Sequence, residues 1–232
     1  MNLAQAIEKS CDVYFYQLGL KLQLSELVAG GLRLHMNDRT GIDLPSEMRP
    51  LFPSDPREYF RKKYGRNFVP ASTAINMSIG QGENAQTVIN MARFYAALAN
   101  DGIMPRPTIA RLQSPRQRVY NLPPDQLAGI RKALAGVVSE RGTAAGAIIQ
   151  GVTIAGKTGT AQSGQYDPLT GKELNHAWFT GFAPADKPRI VVAVMLENVP
   201  FHGTVSAHIA SAMIGHYLKT NATVDEAVTN GG

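Results

Sequence analysis

Cysteine is almost absent from this 232-residue chain: Cys11 stands alone. That excludes an internal disulfide and any cysteine-rich metal site, and it leaves the redox compartment open. No stretch is long and apolar enough to span a bilayer, and the opening MNLAQAIEKS has neither the basic nor the apolar region of an export signal. Charge is sparse as well. Asp, Glu, Lys and Arg make up 18% of residues, below the usual quarter, and the formal net charge is +5. Such a balance suits an anionic surface or substrate without requiring nucleic acid, and none is expected as a partner. The five histidines, His35, His176, His202, His208 and His216, show no paired metal-ligand spacing, and no metal or cofactor is implied. What the chain does have is 44% apolar residues, over a length that supports one large domain or two small ones.

Basic residues are scattered except in PREYFRKKYGRNF, where Arg57, Arg61, Lys62, Lys63 and Arg66 interleave with Tyr59, Phe60, Tyr64 and Phe68. The expectation is an exposed linker whose long side chains lie along apolar surface; an anion-binding patch is the alternative. This segment falls inside a Gly- and Pro-rich region, Asp38 to Pro70, that reads as a long loop containing TGIDLP. Upstream, Leu3, Ile7, Ser10 and Tyr14 share a helical face, which Ser10-Cys11-Asp12 interrupts. Asp12 is expected to cap a second helix over VYFYQLGL, followed by a short amphipathic segment near LSELVAGGLRL. Thr87 opens the clearest helix, with Val88, Met91, Ala92, Tyr95, Leu98 and Ala99 at helical spacing and Gly102 as its stop. Pro123 and Pro124 introduce another, with Leu127, Ile130, Leu134 and Val137 on one side.

After Gly151 the period changes to that of strands: VTIAGKTGTA, AWFTGFAP and RIVVAVMLE, the last a β-branched run suited to a sheet covered on both faces. A final helix opens at Thr204 with Val205, Ile209, Ala212, Met213 and Tyr217 expected inward; the polar tail over 219–232 is expected to lack fixed structure. Helices first, then strands joined by loops too short for crossovers, indicate an α+β fold with a largely antiparallel sheet.

The stretch GVTIAGKTGTAQ admits two chemistries. Gly151 to Thr158 satisfies the phosphate-cradling pattern G-x-x-x-x-G-K-[ST], and KTGT satisfies the Lys-Thr-Gly element of penicillin-reacting serine acyl transferases. A phosphate loop needs a helix beginning at the lysine, and the punctuation by Gly159, Gly164, Pro168 and Gly171 leaves none of useful length. A strand instead places Lys157 and Gly159 on one face and Thr158 and Thr160 on the other. The bland reading is a polar edge strand in which Lys157 only discourages aggregation. For Ser10 and Asp12 the bland reading is helix capping, and for the glycines of SIGQG it is a tight turn.

Taken together, AIEKSCDVYFYQLG, TGIDLP, NMSIGQGENAQT, FYAALANDG, AGKTGTAQ and HAWFTGFAP, in this order, resemble the transpeptidase domain of class B penicillin-binding proteins, the elongation-type branch often called penicillin-binding protein 2. The resemblance runs from Asn2 to about Leu218, so that residues 1–218 are expected to form a partial domain of the penicillin-binding transpeptidase and serine β-lactamase-like fold. It implies a peptidoglycan D,D-transpeptidase: an active-site serine attacks the D-Ala-D-Ala carbonyl, D-Ala leaves, an amine takes the acyl group, and β-lactams trap the acyl-enzyme. It further implies a membrane glycan polymerase as partner and a location on the periplasmic face of the inner membrane.

By this resemblance Ser10-Cys11-Asp12 stands for the Ser-x-Asn-type triplet, with Ser10 relaying protons, and Lys157 holds the motif serine and the local field. Thr158, Gly159 and Thr160 would hold the substrate carboxylate, with a backbone N–H of the strand forming half of an oxyanion hole. Ser78, Gln81, Gly82 and Trp178 would border the groove. The first element of the signature, S-x-x-K, which would carry the nucleophile, departs from the pattern: no serine in these 232 residues has a lysine three positions later. The expectation is therefore a fragment, inactive alone. Recruitment of Ser10 as a substitute nucleophile, or a non-catalytic module that binds peptidoglycan peptides or a partner, are the other readings.

Overall fold

A computed structural model describes residues 1–110 and 115–229, the last ten of these as backbone only. The chain divides into two compact units: residues 1–6 with 10–123, and residues 7–9 with 124 onward.

The first unit is mainly helical. α1 (Leu3–Lys9), whose last three residues group with the second unit, ends at Ser10, whose φ of 52° is left-handed, and α2 (Asp12–Arg33) begins at once. Asp12 is therefore the first helical residue and not the cap. Cys11 takes the cap position without a side-chain hydrogen bond, and the Asp12 carboxylate stands in the first turn, at the positive end of the helix. α2 joins both predicted segments across a break at Gln23, where φ 67° and ψ 161° are not helical. α4 (Ser72–Ser78) packs on α2 because Gly19 carries no side chain; a Cβ there would fall 2.6 Å from Ser78 Cβ. Thr87 caps α5 (Val88–Ala99) as expected, its Oγ1 accepting from Asn90 N, and Gly102 follows with φ 82°. A short antiparallel pair, β1 (Ile103–Pro105) and β2 (Arg116–Arg118), completes the unit.

The region from Asp38 to Pro70 is not loop throughout. PREYFRKKY forms α3 (Pro56–Tyr64), capped by the Asp55 carboxylate on Glu58 N, opened by Pro56 and closed by left-handed Gly65. Its basic last turn sits at the negative end of the helix dipole, and Phe60 is buried beneath it. Lys62 pairs with Glu58 at 2.7 Å, and Lys63 Nζ lies 5.1 Å from the ring centres of both Tyr59 and Tyr64. The segment is thus a capped helix with an anchored aromatic, not a linker.

TGIDLP is tied down by carboxylates. Glu47 accepts from Thr40 N, Thr40 Oγ1 and Gly41 N, and Asp43 accepts from Ile109 N and Ala110 N.

In the second unit α6 (Pro124–Val137) buries Leu127, Leu134 and Val137 and leaves Ile130 half-buried. The strands β3 (Ala155–Tyr166), β4 (Glu173–Ala183) and β5 (Ile190–Val199) form an antiparallel sheet in the order β3-β4-β5. The α+β expectation holds. β5 is less covered than its sequence suggests: Val192 alone is fully buried and Glu197 and Asn198 are exposed. α7 (Gly203–Thr229) lies on β4 and β5, with Phe179, Val192, Ala207, Ala210 and Ile214 in one core.

The inward face of α7 differs from the expected one. Gly203, Ser206, Ala207, Ala210 and Ile214 are buried, whereas Ile209, Met213 and Tyr217 are 39%, 50% and 38% exposed. Close approach to the sheet selects small side chains, and the large apolar ones fall on the other side. Of the tail expected to lack fixed structure, residues 230–232 and the side chains of 220–229 lie outside the described residues.

The carboxylate ties make stability depend on acid. Burial opposes ionisation of Glu47, but the bonds from Thr40 and Gly41 and the charge of Arg93 outweigh it and hold its pKa below the ordinary value. Asp43 is held low by the N–H groups of Ile109 and Ala110, and Asp167 in the β3–β4 hairpin by those of Leu169 and Thr170. Folded-state pKa values below the unfolded ones contribute stability above about pH 4.5, and that contribution is lost as pH falls through the folded values. Denaturant midpoints are expected to fall between pH 6 and pH 3, and Glu47→Gln is expected to flatten that dependence. An equal slope in the variant would show that Glu47 carries none of it.

Candidate active site

The Lys-Thr-Gly segment is extended. Residues 155–166 are strand, so no helix begins at Lys157 and the phosphate-loop reading fails on its first requirement. Pairing fixes the faces: Lys157 stands opposite Thr180, Thr158 opposite Phe179, Gly159 opposite Trp178 and Thr160 opposite Ala177. Lys157, Gly159 and Trp178 share one face, and Thr158, Thr160 and the buried Phe179 share the other. β3 is a lateral strand of the sheet formed by the described residues, so one row of its backbone groups points away from β4. The half-buried Lys157 side chain bends back along the strand, and Nζ donates to the Thr158 carbonyl oxygen at 2.9 Å.

Two residues that sequence reasoning missed fix the threonines. Thr158 Oγ1 lies 2.9 Å from Thr143 Oγ1, in the loop after α6, and Thr160 Oγ1 accepts from Gly203 N at 3.3 Å. Gly142 makes that loop tight: a Cβ would meet the Val137 carbonyl oxygen at 2.1 Å. Lys9 Nζ, at the end of α1, donates to the Arg141 carbonyl beside it. No periodic pattern marks Thr143. Gly203 was legible only as the residue before an expected helix start.

Gly159 and Trp178 are in close register, since a Cβ on Gly159 would fall 3.2 Å from Trp178 Cβ. Trp178 is half-buried, while Phe179 on the opposite face is 1% exposed. The strand thus carries an ammonium, two oriented hydroxyls and, on the side away from β4, a row of backbone groups, a set that can receive a carboxylate and a developing oxyanion.

The remaining candidates lie in the first unit. Ser10 is exposed and left-handed between α1 and α2, and Asp12 is exposed at the first turn of α2. A non-glycine residue at φ 52° is uncommon and costly, and such residues concentrate at functional turns. Ser78 Oγ donates to Ile75 O at 2.7 Å and its Cβ faces Gly19. Gly80 and Gly82 have φ of 81° and 71°, and Gln81 N donates to Asn76 O, so SIGQG is the turn that ends α4.

Residues 1–215 match the penicillin binding protein transpeptidase domain. The chain belongs to the penicillin-binding transpeptidase family. It is 32% identical to the peptidoglycan D,D-transpeptidase MrdA of Acinetobacter baumannii over 239 aligned residues, which cover 95% of this chain and 35% of that protein. The penicillin-binding protein PBP2 of Helicobacter pylori, solved in complex with MreC, superposes with a TM-score of 0.78 at 25% identity, covering 91% of this chain and 39% of that one. PBP2 of Pseudomonas aeruginosa, in complex with WCK 5153, gives a TM-score of 0.73 at 33% identity, covering 92% and 48%. These relatives place the chain in the elongation-type, PBP2 branch of the transpeptidase family. The chain spans about a third of the length of the curated relatives it matches.

Gly203, the first residue of α7, lies directly against β3 and β4. A Cβ there would fall 2.5 Å from Gly159 O and 2.6 Å from Trp178 O, both backbone atoms that cannot yield. Gly203→Ala is expected to lower the unfolding free energy by about 1–3 kcal/mol. Denaturant unfolding of the variant checks this, and an unchanged midpoint would mean that α7 does not rest on β3 and β4 as described.

Proposed function

We propose that this chain carries the Ser-x-Asn-type turn and the K-T-G strand of a peptidoglycan D,D-transpeptidase, and that it forms no acyl-enzyme alone. The observation that carries this reading is β3, a lateral strand with Lys157 and Gly159 on one face and both threonine hydroxyls anchored, in a chain matched to the family over residues 1–215. The inactivity rests on the missing serine-lysine pair: none of these 232 residues is a serine followed three positions later by lysine. Removing one member of a nucleophile–base unit costs nearly all of its catalysis.

In the reaction, a serine hydroxyl supplied by another segment would attack the D-Ala-D-Ala carbonyl. Its proton passes to the leaving D-Ala amine, and an acceptor amine then displaces the serine. Ser10 relays that proton and Asp12 orients the turn. Lys157 supplies positive field, Thr158, Gly159 and Thr160 receive the terminal carboxylate, and Trp178, with Ser78, Gln81 and Gly82, borders the peptide groove. Stem peptides and β-lactams are the expected ligands. An MreC-type scaffold, by likeness to the Helicobacter complex, and a glycan polymerase are the proposed partners. The place of work is the outer face of the inner membrane. Among the described residues no helix is long and apolar enough to cross a membrane. The missing serine-lysine pair also favours a second reading, a non-catalytic module that binds stem peptides reversibly.

Intact-mass spectrometry after incubation with benzylpenicillin separates these readings. The chain alone is expected to gain no mass, and a stoichiometric adduct mapped to Ser10 would overturn the proposed inactivity. A chimera joined behind the serine-lysine segment of the Acinetobacter relative is expected to acylate, with Lys157→Ala slowing it by about 10³-fold or more. A folded chimera that stays unmodified would remove the transpeptidase reading and leave the reversible module.

A further inference from the structure

One basic stretch of the first unit has no part in the transpeptidase reading. It runs through α3 into the residues after it and carries Arg57, Arg61, Lys62, Lys63 and Arg66. The fold orders this stretch. Phe60 is buried beneath the helix, and beyond left-handed Gly65 the chain turns back, with Arg66 N donating to the Phe60 carbonyl. That return brings two cations onto one ring: Lys63 Nζ lies 5.1 Å and Arg66 Cζ 5.8 Å from the centre of Tyr64. Lys63 also donates to the Tyr59 hydroxyl at 2.6 Å, which holds its pKa above the ordinary value and keeps it charged. All five basic residues are exposed, and so are Tyr64 at 45% and Phe68 at 62%.

Acids of the same region offset part of this charge. Asp55 and Glu58 stand at the start of the helix, Glu58 paired with Lys62, and Glu83 accepts from the Tyr64 hydroxyl. Three acids against five basic residues leave a surplus of two positive charges, and it falls at the other end, in the last turn and at Arg66. Among the described residues Arg57, Arg61, Lys63 and Arg66 form no salt bridge with a carboxylate. The hollow beside the first turn, lined by Asp55, Arg57, Glu58, Arg61 and Asn67, carries both signs and so selects no small anion. The far end instead presents cations beside exposed aromatic rings. That combination seats at the level of lipid headgroups, where Lys and Arg meet phosphates and a ring enters the interface. A hydrophilic polyanion would answer the charge but leave Phe68 in water.

We propose that the end of α3 and the residues up to Phe68 dock this unit on an anionic phospholipid surface, with Lys63 and Arg66 facing phosphate and Phe68 entering the interface. The docking does not use Lys157, and it stands or falls apart from the chemistry proposed for β3.

The test is co-sedimentation of the whole 232-residue chain with vesicles of mixed phosphatidylglycerol and phosphatidylcholine. Vesicles of phosphatidylcholine alone are the neutral reference, and far-UV circular dichroism is the folding control. Binding to the anionic vesicles only is expected, weakened by salt. Lys63→Gln combined with Arg66→Gln is expected to lower affinity about 25-fold, at roughly fivefold for each charge removed. Phe68→Ser is expected to lower it about fivefold and to leave the salt dependence as it was. Lys172→Gln combined with Lys187→Gln removes the same charge from exposed positions of the second unit and is expected to keep affinity within about twofold. Equal losses in the two double variants overturn the proposal, because net charge alone then accounts for binding. An absence of vesicle binding overturns it too, and retention of the same chain on peptidoglycan sacculi would then assign the patch to an anionic wall polymer.

Discussion

Gly203 stands where a Cβ would strike the carbonyl oxygens of Gly159 and Trp178, so the first turn of α7 comes directly onto the sheet backbone. Several consequences follow from that approach. Gly203 N reaches Thr160 Oγ1, Ser206 Oγ reaches Ala177 O at 2.7 Å, and Ala207, Ala210 and Ile214 continue the contact at helical spacing. β4 is thereby held by a hydrogen bond from below as well as by its two neighbours. β3 takes its register from β4, and Lys157 and Gly159 are left on the face that α7 does not cover. A side chain at 203 would separate α7 from the sheet and loosen the strand on which the proposed chemistry stands.

The same packing explains which parts of the sequence were legible. Period-two alternation identified β3 and its two faces correctly, because pleating depends only on backbone geometry. Thr87 and Gly102 bounded α5 because capping is a local interaction. The inward face of α7 was misjudged for the opposite reason. Hydrophobic periodicity gives weight to large side chains, and here Ile209, Met213 and Tyr217 point out while a stripe of glycine, serine and alanine makes the closest contact. α3 was hidden by its basic residues, although Asp55-Pro56 and Gly65 mark both ends and Phe60 anchors the middle. Thr143 had no local signature at all, since its partner lies fifteen residues away across a turn.

In the first unit the carboxylates take the organising role that small residues have in the second. TGIDLP lacks the length to form an element of its own, and its backbone donors are met by Glu47, while Asp43 satisfies Ile109 and Ala110. This knot sets the positions of Thr40 and Gly41, whose carbonyls receive Arg93 and Arg106. Both arginines thus bond neutral carbonyl oxygens, while the carboxylates that anchor the loop act on them through charge, Glu47 on Arg93 and Asp43 on Arg106.

Ser10 raises a different question: why its left-handed conformation persists although Cys11, the cap residue of α2, makes no side-chain cap bond. The bonds on either side answer it. Cys11 N donates to Ala6 O at 3.0 Å and closes the end of α1, while Lys9 Nζ holds the Arg141 carbonyl. Glu8 lies against Gly136, where a Cβ would come within 3.1 Å of its carboxylate oxygen, so the residues before Ser10 are tied to α6 and the loop after it. With both flanks fixed, the residue between them has little freedom to relax into the right-handed region. Capping, the bland account of Ser10-Cys11-Asp12, therefore does not describe this turn: the cap position is Cys11 and makes no side-chain bond. The turn at Ser10 is thus set by the bonds of its flanks and not by a side-chain hydrogen bond at the cap residue of α2.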